Sequence, residues 1–211
     1  MNRRSRRMLQ WAERIFWFVA VLSLGIYALA YAERTGFQKY EQWSFQRALA
    51  RGPKQAPRAS ARLRPGALIG RIAIPRLGLD EMVVESTTDE CLRRAVGHIE
   101  GTALPAATGN VGLAGHRDTF FRALRRIRPH DVIEIGTLEG AFRYSVESTS
   151  VVDPDDTEAL AASTEPTLTL VTCYPFHYIG TAPRRCIVRA RRISGPPVAG
   201  ELVRPRPTRG S

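Results

Sequence analysis

Cysteine and histidine are scarce in this chain of 211 residues, with three cysteines at Cys91, Cys173 and Cys186 and four histidines at His98, His116, His130 and His177. No C-x-x-C pair occurs and no histidine stands at ligand spacing from a cysteine, which argues against a structural zinc site. There is no internal repeat and no regular strand–helix alternation of the kind that builds a doubly wound sheet. Hydrophobic residues at 44% and charged ones at 24% are ordinary for a globular protein, so disorder throughout and a collagen or coiled-coil fibre are excluded. The length allows one domain of usual size plus extensions. A formal net charge of +11 would suggest a nucleic-acid partner if it were spread over the folded part. It is not. Residues 1–14 carry +4 and residues 33–76 carry +8, while residues 77–211, with sixteen arginines and seventeen acids, come to −1. The excess flanks one apolar run, which points to a membrane surface and away from nucleic acid.

That run covers residues 15–32 (IFWFVAVLSLGIYALAYA), eighteen residues without a charge. As a helix it would be about 27 Å long, roughly the hydrocarbon thickness of a bilayer. Five arginines precede it, and a basic flank favours the cytoplasmic side, placing everything after residue 33 outside. A cleaved signal peptide is the competing reading, because Ala28-Leu-Ala30 resembles a processing site. The run exceeds the usual signal-peptide core of about 7–15 residues, which favours a retained anchor.

The organisation that follows is a basic cytoplasmic N-terminus at 1–14, a transmembrane anchor at 15–32, a basic juxtamembrane linker at 33–65, a domain at 66–193 and a loose Pro-rich tail at 194–211. Residues 33–50 have a weak helical pattern, and 51–66 are rich in Pro, Ala and Arg, as a tether would be. Short apolar runs at 68–74, 79–84, 110–114, 132–136, 142–148, 167–173 and 185–193 read as strands, with helices over 90–96, capped by Asp89, and over 119–126. Closely bunched strands with few helices predict a mainly β, closed or nearly closed barrel.

Cys173 ends the alternating run Thr167-Leu-Thr-Leu-Val-Thr-Cys173, and Tyr174-Pro175 stops the strand just after it. A strand end bordering a loop suits a catalytic side chain, although a free cysteine is also a common small core residue. His116 lies in Gly112-Leu-Ala-Gly-His-Arg-Asp118, at the glycine-bracketed end of another strand. A thiol that attacks amides needs a neighbour to lower its pKa and protonate the leaving amine, and Cys173 with His116 is the best pair available. Arg184 or Arg185, opening the next strand, would supply a permanent cation for the oxyanion. His177 stands four residues past Cys173 and reads as a rim residue, whereas His98 and His130 read as solvated loop residues.

Thr169-Leu-Val-Thr-Cys173 resembles the T-L-x-T-C signature of sortases, the membrane-anchored cysteine transpeptidases of the bacterial envelope. The order His116, Cys173, then an Arg twelve residues on is also similar, and Gly115-His-Arg-Asp-Thr-Phe-Phe121 with Cys173-Tyr-Pro-Phe176 looks most like class D. The resemblance covers residues 66–193 and implies a sortase-like closed β-barrel of about seven to eight strands with a few short helices, preceded by one transmembrane helix. It implies Cys173 as nucleophile, His116 as acid and base, and Arg185 beside the substrate carbonyl, with Arg184 as the competing choice. Thr172 would shape the site and orient the arginine, and Tyr174, Phe176, His177 and Tyr178 would form a substrate-binding wall. Cys186 has no expected counterpart, and a Cys91–Cys186 disulfide stays open.

The implied reaction cuts an LPxTG-like sorting signal after Thr through a thioester and passes the acyl group to an amine, such as that of a peptidoglycan precursor. It calls for no organic cofactor and no metal, and no carboxylate cluster asks for calcium. Two other classes compete. Exported Cys/His wall enzymes, either L,D-transpeptidases or NlpC/P60-type peptidases, would show a Ser-x-Gly-Cys-like segment or a Cys ahead of the His, and neither pattern occurs. A non-catalytic membrane-tethered barrel would bury Cys173 as core.

Overall fold

The structure, a computed structural model, describes residues 3–50, 63–178 and 180–196. The tether at 51–62 and the tail beyond 196 lie outside the described residues. The apolar run sits inside one 48-residue helix, α1 (Arg3–Ala50), which contains an 18-residue window of mean hydropathy 2.0 with none of it buried. At the rise of an α-helix this element is about 72 Å long, so it extends well past a bilayer.

The part of α1 beyond the apolar run lies on the folded domain. Phe37 packs against Val84, Cys91 and Ala95, and Phe45 is 5% exposed. The Gln38 amide is used at both ends, with Nε2 donating to Arg94 O at 2.6 Å and Oε1 accepting from Met82 N at 2.9 Å. Arg94 also pairs with Glu33 and Glu90.

The domain is a closed barrel of eight strands: β1 (Leu68–Ile74), β2 (Leu79–Glu85), β3 (Val96–His98), β4 (Asn110–Ala114), β5 (Val132–Thr137), β6 (Gly140–Val152), β7 (Thr167–Tyr174) and β8 (Arg184–Ser194). Around the barrel they run β1-β2-β3-β4-β7-β8-β6-β5, closed by antiparallel β1–β5 pairing. Two neighbouring pairs are parallel, β2–β3 and β4–β7. The alternation visible in the sequence fills the interior: Ile72, Ile74, Leu113, Ile133, Ile135, Phe142, Tyr144, Leu168, Leu170 and Val188 are all buried. Closure removes the exposed edges that such short apolar strands would otherwise present.

Three local expectations are corrected. Asp89 does not cap a helix over 90–96: α2 (Asp89–Arg94) starts one residue earlier with Thr88 at its N-cap position, and Ala95 is already extended. Residues 119–126 are helical only as a 3₁₀ turn at Arg122–Arg126. The larger correction concerns His98, which is 2% exposed on β3 rather than solvated. Its Nδ1 meets Glu85 Oε2 at 2.9 Å, and its Nε2 faces Ala103 O and Thr102 Oγ1, both at 3.0 Å. Thr102 Oγ1 in turn accepts from Gly112 N at 3.0 Å. A histidine with both ring nitrogens satisfied can be buried, and the partners come from segments that only the fold brings together.

Just before β5 the Asp131 carboxylate, its side chain 6% exposed, takes the Arg76 guanidinium on both oxygens and the Arg128 amide at 2.8 Å. The hydrogen bond from Arg76 holds the Asp131 carboxyl below the usual carboxylate range. Its stabilisation is therefore present above the ordinary aspartate pKa of about 3.9 and is lost as pH falls through the lowered folded value. Asp131→Asn should cost about 1–3 kcal/mol at neutral pH. Thermal unfolding of both proteins in detergent, repeated across pH, should show the gap closing in acid; a pH-independent gap would remove the carboxylate from the account. His98→Ala should cost more, about 3–5 kcal/mol, because it strands the buried Glu85 carboxylate. Chemical denaturation checks this.

Candidate active site

Strand β7 carries Leu168, Leu170 and Thr172 into the barrel, so Val171 and Cys173 face outward and are half-buried. Further back on this outer face Thr169 is closed over: its hydroxyl donates to Asn110 Oδ1 at 2.8 Å and to Ala159 O at 3.2 Å. The 3₁₀ turn Glu158–Leu160 forms that cover, and it comes so near the neighbouring strand that a Cβ on Gly112 would lie 3.1 Å from Leu160 Cδ2. The same face is therefore sealed at one end and open at Cys173. Cys173 is a free thiol.

His116 reaches this open end through the parallel β4–β7 pair. Ala114 is level with Val171, and Gly115 N continues the ladder to Val171 O at 3.1 Å, so the chain at His116 arrives beside Cys173. The Thr172 hydroxyl donates to Gly115 O at 2.7 Å. Thr172 is 2% exposed, which places it behind the histidine segment. Glycine is required at 115 because a Cβ there would meet the ring of fully buried Phe121 at 2.9 Å. Past it, the His116 carbonyl accepts from Phe121 N at 3.0 Å, folding the segment into a tight turn. The His116 ring and the Cys173 thiol hold no hydrogen bond among the described residues, leaving both available to a substrate.

Arg185 on β8 is the direct cross-strand partner of Cys173, whereas Arg184 stands opposite Tyr174. Arg185 is half-buried, and its Nη1 donates to the carbonyls of Ala182 at 3.2 Å and Arg184 at 3.1 Å. No acid pairs with it among the described residues. Arg184 is 58% exposed and leans 3.8 Å from Asp153. Cys186 lies opposite Thr172, facing inward at 7% exposure, and burial pushes its thiol pKa up. A thiol in that state is a poor nucleophile. Cys91 is also free, its thiol directed to Glu85 O, so no disulfide joins the two.

The four loop aromatics divide into two groups. Phe176 packs against the barrel core and Tyr174 stacks edge-on against it at 6.1 Å, so this pair anchors the root of the loop. His177 and Tyr178 are exposed at its tip. Arg117 stands in the Gly115-His-Arg-Asp118 motif, where the sequence gives it no role. In the structure its guanidinium crosses from the histidine segment to the carbonyls of Tyr178 and Gly180, at 2.8 and 2.9 Å. The only local signal was its position beside His116.

A thiol, an imidazole-bearing segment and a guanidinium with no acidic partner among the described residues, on one half-open face, are the groups that acyl transfer through a thioester requires.

Comparison with known proteins agrees with this arrangement. The family model "Sortase domain" matches residues 72–193. Sortase D of Bacillus subtilis (strain 168) is 35% identical over 138 residues, covering 65% of this chain and 70% of that protein. Sortase A of Bacillus anthracis is 27% identical over 145 residues, covering 67% of this chain and 69% of that protein. Among solved structures, a sortase D5 transpeptidase of Clostridium perfringens superposes with a TM-score of 0.66 at 27% identity, covering 77% of this chain and 99% of that one. With the family model spanning more than half its length, and with the closed barrel that the sortase structures share, the chain belongs to the sortase family of cysteine transpeptidases.

Proposed function

We propose that this sortase cleaves an LPxTG-like sorting signal after its threonine and transfers the acyl group to an amine of the cell envelope. The observation that carries the assignment of residues is the register: Cys173 opposite Arg185 on one side and level with the histidine turn on the other. In the first half-reaction the Cys173 thiolate attacks the threonine carbonyl carbon, and Arg185 N–H groups stabilise the oxyanion. The C–N bond breaks as protonated His116 gives its proton to the departing amine, leaving a thioester. An incoming amine then attacks, passes a proton to His116, and releases the thiolate as the new amide forms. Water substitutes poorly for this amine, so hydrolysis is the slower branch. Thr172 serves by tying the histidine turn to the nucleophile strand, and the loop 174–184 forms one wall of the peptide groove.

The partners are proteins bearing a C-terminal sorting signal and an amine acceptor such as a peptidoglycan precursor. The chain sits in the plasma membrane as a single-pass protein with its N-terminus cytoplasmic, a reading supported by the apolar window of α1 and the basic residues before it.

Cys173→Ala should abolish capture of a sorting peptide as thioester, seen by mass spectrometry, while leaving thermal unfolding nearly unchanged; residual capture by the mutant would sink the nucleophile assignment. His116→Ala should fall almost as far. Arg185→Lys should lose about 100-fold or more in kcat, the scale of removing an oxyanion donor, because an ammonium lacks the planar fork. Arg184→Lys should keep most activity, and the reverse order would exchange the two assignments. For topology, protease added to the cytoplasmic side of sealed vesicles should leave the domain after residue 33 intact and membrane-bound through a carbonate wash. Release of a shorter soluble form would show a cleaved signal instead.

A further inference from the structure

We propose that Arg117 is a positioning residue, a latch through which the segment carrying His116 holds the loop 174–184 in place as a wall of the peptide groove. The inference rests on the reading of this chain as a sorting-peptide transpeptidase.

The topology makes such a latch possible. Strands β4 and β7 run parallel, so the turn after His116 and the loop after Cys173 leave the barrel at the same end. Both must then be held at a fixed separation if a peptide is to lie between them. The barrel holds the loop at its two ends, through Phe176 in the core and through buried Ala182, whose carbonyl accepts from Arg185 Nη1. Between them, the main-chain bonding within 175–183 among described residues is one long contact, Tyr178 N to Pro175 O at 3.4 Å. Its tip is held from outside. Arg117 Nη2 donates to Tyr178 O at 2.8 Å and to Gly180 O at 2.9 Å, and the guanidinium lies 5.9 Å from the centre of the Tyr178 ring. One nitrogen thus takes the two carbonyls that flank residue 179.

The residue type follows from this geometry. The guanidinium spreads its charge over an extended group, so one nitrogen bonds both carbonyls while the central carbon stays near the Tyr178 ring, a separation that a compact ammonium lacks. Among the described residues Arg117 Nη1 is buried without a hydrogen-bond partner, so the guanidinium is enclosed against the loop and not turned to solvent. That placement couples the two segments that border the thiol.

A latch of this kind acts on peptide binding and leaves the intrinsic reactivity of the thiol alone. The test uses the full chain in detergent micelles, fluorogenic Leu-Pro-x-Thr peptides ending in Gly or Ala, and iodoacetamide. Arg117→Ala should raise KM about tenfold with kcat within about twofold. The rate and pH profile of Cys173 alkylation should match wild type. Arg117→Lys should move KM the same way, and Arg122→Ala, an exposed arginine farther along the same segment, should not. Tyr178→Ala should add less to Arg117→Ala than it costs alone, since both remove one unit. Unchanged KM in Arg117→Ala would overturn the latch, as would a loss in kcat with a shifted alkylation profile, which would mean that Arg117 acts on His116. Should wild type cleave none of the peptides, the substrate reading fails by itself, and chymotrypsin still reads the latch. Faster cutting after Phe176 and Tyr178 in Arg117→Lys than in wild type would then support it, and equal cutting would overturn it.

Discussion

Strand β7 is hydrogen-bonded on both sides, to β4 running parallel and to β8 running antiparallel, and the reactive end of the molecule depends on that double pairing. The antiparallel side puts Arg185 directly across from Cys173, and a slip of one residue would bring Arg184 there and turn the side-chain faces over. The parallel side delivers the end of β4, and with it His116, to the same level. A parallel pair cannot be joined by a tight turn, so the residues between β4 and β7 must travel round the barrel. They do so as β5 and β6, which pair with β1 and β8 and close the sheet. Barrel closure and the assembly of the site are thus one constraint.

Buried polar groups secure the strands that matter most for this geometry. Glu85, His98 and Thr102 form a chain of contacts from the end of β2 through β3 to the amide of Gly112 on β4. Asn110 and Thr169 do the same between β4 and β7, and Thr172 with Gly115 repeats it at the open end. Each interaction replaces an apolar contact with a directional one, so it resists sliding of one strand along the next. Asp131 plays a comparable part beneath the 3₁₀ turn Pro75–Leu77 that follows β1, where it joins Arg76 to the Arg128 amide.

Helix α1 also packs on the domain. Its Glu33 meets Arg94 of α2, which follows the C-terminal end of β2, and Gln38 meets Met82 within that strand. Arg94 closes α2 just before β3 begins, and these are the first contacts between α1 and the domain. Phe37 and Phe45 make this contact partly apolar, so residues 33–45 contribute packing to the domain in addition to their reach.

The apolar run, the strand alternation and the T-L-V-T-C and G-H-R-D motifs were legible because they are local: bilayer-scale length, a period of two and short fixed spacings need no tertiary contact to be read. From these followed the β class, a helix long and apolar enough to cross a membrane, and Cys173 and His116 as the candidate reactive pair. The choice between Arg184 and Arg185 did not follow from composition, since neighbouring arginines differ only in which face of β8 they occupy, and the β7–β8 register decides that. His98 was misread because a short polar stretch looks like a loop until Glu85, thirteen residues earlier, is brought against it. Arg117 carried no signal beyond its neighbour, because its partners are main-chain carbonyls that exist at every residue; folding alone decides which of them lie within reach.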